Sequence, residues 1–343
     1  MEQRLKSGSI LKSGSILIIA LFALSILTIV AVNLGFGISQ KLLFLKKMET
    51  RKNLHLIAEA GIKTASWKIK KDVIPEYDTL NGTWSNNVTD FREQPVGEGS
   101  FTVSYDYRSF DADKNKITQT RYGCEDEERK ININTADQKT LKQLFRIVTD
   151  MDEVKAENLS YCIIDWRDEN SAYERPQYGA EDSDYRYAST PYEAKDGPYE
   201  IPEELILVKG MSQEIFEQIR EYVTVYTDGK ININTAPPEV LRALGLDERL
   251  TAKILTFRKG QDGVEGTPDD NAFTSPDVVA TLSQFLGLGP DEISQFNNLA
   301  GRFITASNNF MIKSIARLNN RNDSYAVVAV CDRKGRIKYW REE

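Results

Sequence analysis

SILIIALFALSILTIVAVNLGFGI (residues 15–38) runs without a break into SQKLLFLKKMETRKNLHLIAEAGIKTASWKIKK (residues 39–71). The first run carries no charged side chain and is long enough to cross a bilayer as a helix. The second keeps apolar residues at helical spacing, at Leu42, Leu45, Leu54, Ile57, Ile62 and Trp67, and meets no proline until Pro75. Together they predict one long helix, membrane-spanning over 15–38 and amphipathic over 39–74. Ahead of it, MEQRLKSGSILKSG (residues 1–14) places Arg4, Lys6 and Lys12 on the short N-terminal side. Basic residues there hold that side in the cytoplasm and send the bulk of the chain outside. A secretory signal peptide would have a shorter apolar core, followed by a small-x-small cleavage site. Here the helix simply continues.

Composition narrows the function classes. The chain has 343 residues, 41% hydrophobic and 10% aromatic, enough for two domains or for one domain with a large insertion. The net charge of −7 is uneven: residues 125–300 carry about −17, leaving about +10 for the two ends. So acidic a middle repels phosphate backbones and suits divalent cations or basic protein faces. His55, the single histidine, lies near the membrane run, which removes a Ser-His-Asp triad or a His-rich zinc site from the acidic part. Cys124, Cys162 and Cys331 form no CxxC; one disulfide is compatible with them, and their spacing does not choose the pair.

Past the helix, GSFTVSYDYRSF alternates as a half-buried strand, with KITQTRYGC as its hairpin partner. FMIKSIARL, SYAVVAVCD and RKGRIKYW read as strands near the C-terminus, the first two joined by a turn at NNRND. One long helix with antiparallel strands defines an α+β fold. The strands of 75–128 and 301–343 share one sheet in this reading, and residues 129–300 form an inserted, mostly α-helical domain, too long for a loop. That insertion contains a repeat: KININTADQKTLKQLF from Lys130 and KININTAPPEVLRALG from Lys230. In each, an extended run leads through Thr-Ala into a helix, with Thr135 and Thr235 as expected N-caps and Pro237 in the first turn.

Two loops in the insertion concentrate carboxylates. DWRDENSAYERPQYGAEDSDYRY (165–187) holds Asp165, Asp168, Glu169, Glu181, Asp182 and Asp184; QDGVEGTPDDNAF (261–273) holds Asp262, Glu265, Asp269 and Asp270. Calcium takes 6–8 oxygen ligands and tolerates irregular loops, so these ten residues are the expected metal ligands, although neither loop has EF-hand spacing. Paired carboxylates also serve glycosidases, but no apolar pocket that would raise one pKa is readable here, so no catalytic residue is assigned.

The INTA-helix units are similar to helix-hairpin-helix modules, which hold phosphate on the backbone amides of a GxG hairpin with nearby Lys or Arg. The first copy has no GxG, and the nearest match, Gly287-Leu288-Gly289, is followed at once by Pro290, Asp291 and Glu292. A structural reuse of the unit fits this charge better than nucleic-acid binding.

A short basic leader ending in glycine, then a membrane helix continuing as an amphipathic one, resembles the N-terminus of type IV pilins and pseudopilins. The resemblance implies cleavage by prepilin peptidase after Gly14, making Ser15 the first mature residue. Most pilins carry glutamate at the fifth mature position, where this chain has Ile19. A carboxylate buried in lipid is costly unless paired, and a subunit lacking it suits a filament end. IIDWRDENSAYERPQYGAEDSDYRY, VYTDGKININTAPPEVLRAL and the closing RIKYWREE resemble the K-class minor pseudopilin, GspK, of type II secretion systems. That family implies a non-enzymatic, pilin-like body with calcium in its helical insertion, anchored in the inner membrane with the large domain in the periplasm. It further implies a place at the pseudopilus tip with the I- and J-class minor pseudopilins, and contacts with other pseudopilins and the inner-membrane assembly platform. A minor pilin of a type IV pilus and a membrane-tethered DNA-binding protein are the alternatives.

Overall fold

The computed structural model describes residues 7–72, 76–110, 116–175, 177–186, 191–275, 277, 281–283, 285, 287–299, 301–319 and 322–343. The first six leader residues, Pro75 at the end of the expected helix and part of the expected NNRND turn lie outside these. The chain forms two compact units, Met1–Leu56 and Ile57–Glu343. Helix α1 spans Ser7–Lys70. Its portion from Ser15 onward is the one helix, among the described residues, long and apolar enough to cross a membrane.

Within the second unit, the end of α1 packs on an antiparallel sheet. Ile57, Ala58, Gly61, Ile62, Ala65 and Ile69 are the buried positions. At 100° per residue, Ile62, Ala65 and Ile69 share one face, whereas Trp67 falls about 140° away from Ile62 and is 56% exposed. Leu42 and Leu45, read from sequence as part of the same stripe, are exposed too.

The sheet runs β1 (Gln94–Val96), β2 (Gly99–Val103), β10 (Asn309–Leu318), β11 (Ser324–Asp332) and β12 (Ile337–Glu342), with β5 (Glu125–Asp126) also paired to β10. On β10 the alternate residues Phe310, Ile312, Ser314 and Ala316 are buried, as period-two patterning requires. A Cβ at Gly61 would collide with the Ser314 hydroxyl and lie 2.9 Å from the Phe101 ring, so the helix approaches the sheet through a position only glycine can fill. The AEAGI run (58–62) supplies that flat contact.

GSFTVSYDYRSF does not form one strand. Its first half is β2; its second, β3 (Tyr105–Phe110), pairs with β4 (Lys116–Arg121) in a separate two-stranded ribbon. The reason lies on β10: beyond Ser314↔Val103, the next places are taken by β5, through Phe310↔Asp126 and Met311↔Glu125. The chain turns away at Ser104, and Tyr105 and Tyr107 bury themselves with Leu80 instead.

The insertion is built twice on one plan. β6 (Ile131–Asn132) pairs in parallel with β7 (Val223–Thr224), and β8 (Ile231–Asn232) with β9 (Phe303–Ile304), so the insertion's pairing continues to residue 304. Each first strand leads into a helix pair: α3 (Gln138–Thr149) with α4 (Glu153–Arg167), and α7 (Pro238–Ala243) with α8 (Glu248–Arg258). A short helix, α2 (Val88–Phe91), precedes the sheet. Three more, α5 (Asp182–Tyr185), α6 (Gln213–Ile219) and α9 (Pro290–Asn298), lie within the insertion. Leu141, Leu144, Ile163, Ile219, Leu241 and Ile254 belong to one core shared by both repeats. Each such side chain contributes roughly 1.5–3 kcal/mol. Thr135 and Thr235 are not N-caps. Asp137 caps α3 through the Thr140 N–H, and Pro237 is the N-cap residue of α7 without a side-chain bond. Thr235 instead donates to Asp126 at 2.6 Å. Cys124, Cys162 and Cys331 are buried free thiols.

Gly61→Val should destabilise the second unit by roughly 3 kcal/mol, the upper end for overpacking, and Gly61→Ala by less. Urea unfolding monitored by circular dichroism checks both.

Candidate functional site

Each INTA turn positions the acidic loop of its own repeat. In the first repeat Asn132 Oδ1 accepts the Asn134 N–H at 2.7 Å; in the second Asn232 Oδ1 accepts that of Asn234 at 2.9 Å. The second asparagine of each turn then acts as a backbone mimic. Asn134 exchanges two hydrogen bonds with the main chain of Tyr199, at 2.9 and 2.8 Å, and Asn234 does the same with Phe273, also at 2.9 and 2.8 Å. An arginine at the end of the second helix closes each turn. Arg167 donates to the Ile133 and Ala136 carbonyls, and Arg258 to those of Ile233 and Ala236. Both acidic loops therefore start beside this arginine; the second ends at its clamped residue, Phe273, and the first is followed by its own, Tyr199. Sequence reading missed the four residues of this frame, although the repeated ININTA and the paired WR and FR dipeptides carried the signal.

In the first loop, Asp165 is fully buried at the end of α4 and accepts the Glu174 and Ala180 N–H groups at 3.1 and 3.0 Å. Gly179 packs directly on that carboxylate at φ +94°, where a Cβ would overlap it. Burial, with Asp168 and Glu174 nearby, pushes Asp165 up to about 6. Glu181 is buried, and neither of its carboxylate oxygens has a hydrogen-bond partner. Burial and then the charges of Asp165, Asp168, Asp196 and Asp182 push it up to about 7. Asp196 Oδ1 is likewise buried and unpartnered. Asp168 turns back onto the Asn170 N–H at 3.3 Å, Asp182 holds the Ala194 N–H at 2.9 Å, and Glu169 is exposed. Asp184 faces elsewhere: it pairs with Lys209 at 2.6 Å and accepts from the Tyr173 hydroxyl at 2.8 Å. The structure thus sets Asp165, Asp168 and Asp182, with Asp196 from the later DG turn, near enough to Glu181 to raise it, but only the second loop brings three carboxylates within 4.8 Å of one another, and Asp184 is neutralised internally.

The second loop separates its members. Asp262, Asp269 and Asp270 present carboxylate oxygens all within 4.8 Å of one another. Asp269 accepts the Gln261 and Asp262 N–H groups at 2.7 and 3.0 Å and the Thr267 hydroxyl at 2.7 Å, bonds that draw it down to about 2. Gly260, at φ +62°, lies against the Asp269 backbone just as Gly179 lies against Asp165. Glu265 points inward. It is ion-paired with Arg258 at 2.6 Å and accepts from Tyr107 at 2.7 Å, while Arg121 donates to its carbonyl and stacks 3.6 Å above the Tyr107 ring. Burial raises its pKa, but these partners outweigh it and hold Glu265 below the usual value. It serves as a strut between the loop and the β3–β4 ribbon.

Both loops have the chemistry of hard-cation sites. In the first, three buried, unpartnered carboxylate oxygens sit among like charges. In the second, three carboxylates converge around a loop whose amides already fix one of them. A divalent cation there would supply positive charge to these carboxylates.

The helix-hairpin-helix position is closed to phosphate. The Gly289 N–H donates at 2.7 Å to Glu292, and Lys253 reaches both Glu292 and the Gly287 carbonyl at 2.8 Å. Arg249 lies 3.4 Å from the same carboxylate. The groups that would cradle an anion already hold the chain's own acid.

The end of a long helix laid on an antiparallel sheet, with a helical insertion bearing two acidic loops, defines a pilin-like protein. Residues 113–228 match the family described as type II secretion system (T2SS), protein K. Type II secretion system protein K from Aeromonas hydrophila is 30% identical over 158 residues, covering 43% of this chain and 44% of that protein, less than half of either. The crystal structure of the GspK-GspI-GspJ complex from enterotoxigenic Escherichia coli contains a similar chain. That likeness has a TM-score of 0.63 at 18% identity and covers 87% of this chain and 98% of that one. The chain is thus similar to type II secretion system protein K over residues 113–228 and shares the fold of that solved chain.

The raised carboxyls of the first loop fix the sign of a pH effect. Without a cation, Glu181 and Asp165 stabilise the fold below their unfolded values near 4, and this is lost as pH rises through about 6 and 7. Calcium should therefore bind more tightly at pH 8 than at pH 5.5 and raise the melting temperature most at the higher pH. Calorimetric titration at the two pH values checks this, and Glu181→Gln should flatten the difference.

Proposed function

We propose that this chain is a minor pseudopilin of a type II secretion system: an assembly protein held in the inner membrane by the Ser15–Ile38 run, with its large domain in the periplasm. The observation that carries the reading is the family match over residues 113–228, which encloses the first INTA turn and the first acidic loop. The fold likeness to a chain crystallised with I- and J-class partners supports it. In this reading prepilin peptidase cuts after Gly14. The mature subunit sits at the pseudopilus tip with I- and J-class pseudopilins, where Ile19 leaves no carboxylate to receive another subunit's amine. Other pseudopilins and the inner-membrane platform are then its further contacts. Calcium is the resident ion in this proposal, held in the first loop by Glu181 with Asp165, Asp168 and Asp182, to which we add Asp196, and in the second by Asp262, Asp269 and Asp270. Its role is structural, cancelling the repulsion that otherwise loosens both loops.

The charge pattern supports the orientation, with Arg4, Lys6 and Lys12 ahead of the apolar run and none within it. The Glu292-filled hairpin and the acidic insertion weigh against DNA as the partner.

Co-expression of the full chain with I- and J-class pseudopilins and a prepilin peptidase, followed by mild detergent extraction, tests the reading. We expect a mature N-terminus at Ser15 by mass spectrometry and a complex of the three proteins by light scattering, loosened by chelation. A chain that is processed but remains alone, with or without calcium, would overturn the tip assignment.

A further inference from the structure

One carboxylate of the first acidic loop stands outside the proposed cation site yet holds the main chain on which that site depends. Glu181 directly precedes α5, a single turn, and both of its buried carboxylate oxygens lack a partner. Where they point is set by the backbone beneath them. Upstream, that backbone is pinned twice: Asn158 accepts the Gly179 N–H at 3.1 Å, and Asp165 accepts the Ala180 N–H at 3.0 Å. Downstream, the pin is Asp184. Its Oδ2 accepts the Glu181 N–H at 3.1 Å and the Tyr173 hydroxyl at 2.8 Å, while its Oδ1 accepts the Lys209 ammonium at 2.6 Å.

Lys209 reaches this helix from a later part of the chain, between Leu207 and α6. It meets α5 at two points, through its ammonium at Asp184 and through its own N–H, which donates to the Tyr185 hydroxyl at 3.3 Å. The segment carrying Lys209 is anchored in turn. Tyr192 donates to the Leu207 carbonyl at 2.8 Å and packs against Tyr185, with ring centroids 5.2 Å apart. Asp184 therefore joins the Glu181 main chain to a fixed support rather than to a free surface lysine.

We propose that Asp184 and Lys209 are positioning residues of the first cation site: their pair sets the Glu181 main chain before an ion arrives, and neither residue touches the ion. This role rests on the calcium reading of the loop. A ligand fixed beforehand loses less conformational freedom on binding. Groups behind the direct ligands commonly change metal affinity by about 10–100-fold when removed.

Charge alone predicts the opposite effect for Lys209. It is a positive group beside a site for a cation, so if it acted only through its field, removing it would tighten calcium binding. Loss of the pin loosens binding instead. The sign of the change separates the two roles.

The test uses the full chain in detergent carrying Asp269→Asn, designed to empty the second loop, with calorimetric titration of calcium. Lys209→Met should raise Kd roughly tenfold. Lys209→Arg, which keeps the ion pair, should stay within about twofold of the parent. Tyr173→Phe removes another donor to Asp184 and should weaken binding by a smaller factor in the same direction, so the role is readable even where the methionine variant does not fold. In chelator, hydrogen exchange at amides 179–185 should be faster in Lys209→Met than in the parent. Unchanged or tighter calcium binding by Lys209→Met would overturn the positioning role while leaving the calcium site standing. A parent that binds no calcium, or whose binding is untouched by Glu181→Gln, would remove the site itself and the role with it.

Discussion

The Asp126 carboxylate is the point through which the second unit is joined. It receives Asn232 and Thr235 from the second repeat, Ser307 from the segment entering β10, and the Glu128 N–H from the turn opening the first repeat. Asp78 extends the junction to the segment after α1: it accepts the Ser307 N–H at 2.6 Å and gives its own N–H to Thr305 at 2.7 Å. Pieces separated by more than 200 residues of chain therefore meet on two buried acids. Removing one such acceptor would strand several buried donors together, each costing about 1–3 kcal/mol. The insertion is thus tied to the sheet by polar groups, and both belong to one compact unit.

The two repeats solve one problem twice. A loop rich in carboxylates cannot pack by hydrophobic burial, so its ends must be pinned by the frame. An asparagine holds one end by mimicking a backbone residue, an arginine ties the other to the INTA turn, and a left-handed glycine lets the main chain lie against a carboxylate. The loops then diverge. The first buries Glu181 among like charges, while the second gives Glu265 a guanidinium and keeps three aspartates outward. A cation in the second loop would be linked through Glu265 to the β3–β4 ribbon.

Much of this was legible in local sequence. The uncharged run of 15–38, the alternation on β10, the continuous apolar run of β11 and the repeated ININTA are each readable within a few residues. The features that escaped reading depend on distant partners. The break at Ser104 follows from β5 occupying β10. The Thr235 hydroxyl leaves its expected cap for Asp126, more than 100 residues away. Trp67 fits an apolar count but not the 100° rotation from Ile62. At the loops, residue type identified the acids, yet only the fold separates Glu265 and Asp184, which hold basic partners, from Glu181, which holds none, and only the fold brings in Asp196.

The hairpin at Gly287–Gly289 shows how one architecture can serve without its usual ligand. The N-terminus of a helix with free amides attracts an anion, and in a nucleic-acid-binding module a phosphate fills it. Here Glu292 curls back onto the Gly289 N–H, and Lys253 and Arg249 converge on that carboxylate. The same donors that would bind an external phosphate instead stabilise the turn. With about −17 of charge over residues 125–300 opposing any polyanion, the electrostatic needs of this turn are met from within. The two INTA helix pairs share one core, and in the acidic loops it is Glu181 that keeps its buried carboxylate among like charges without such an internal partner.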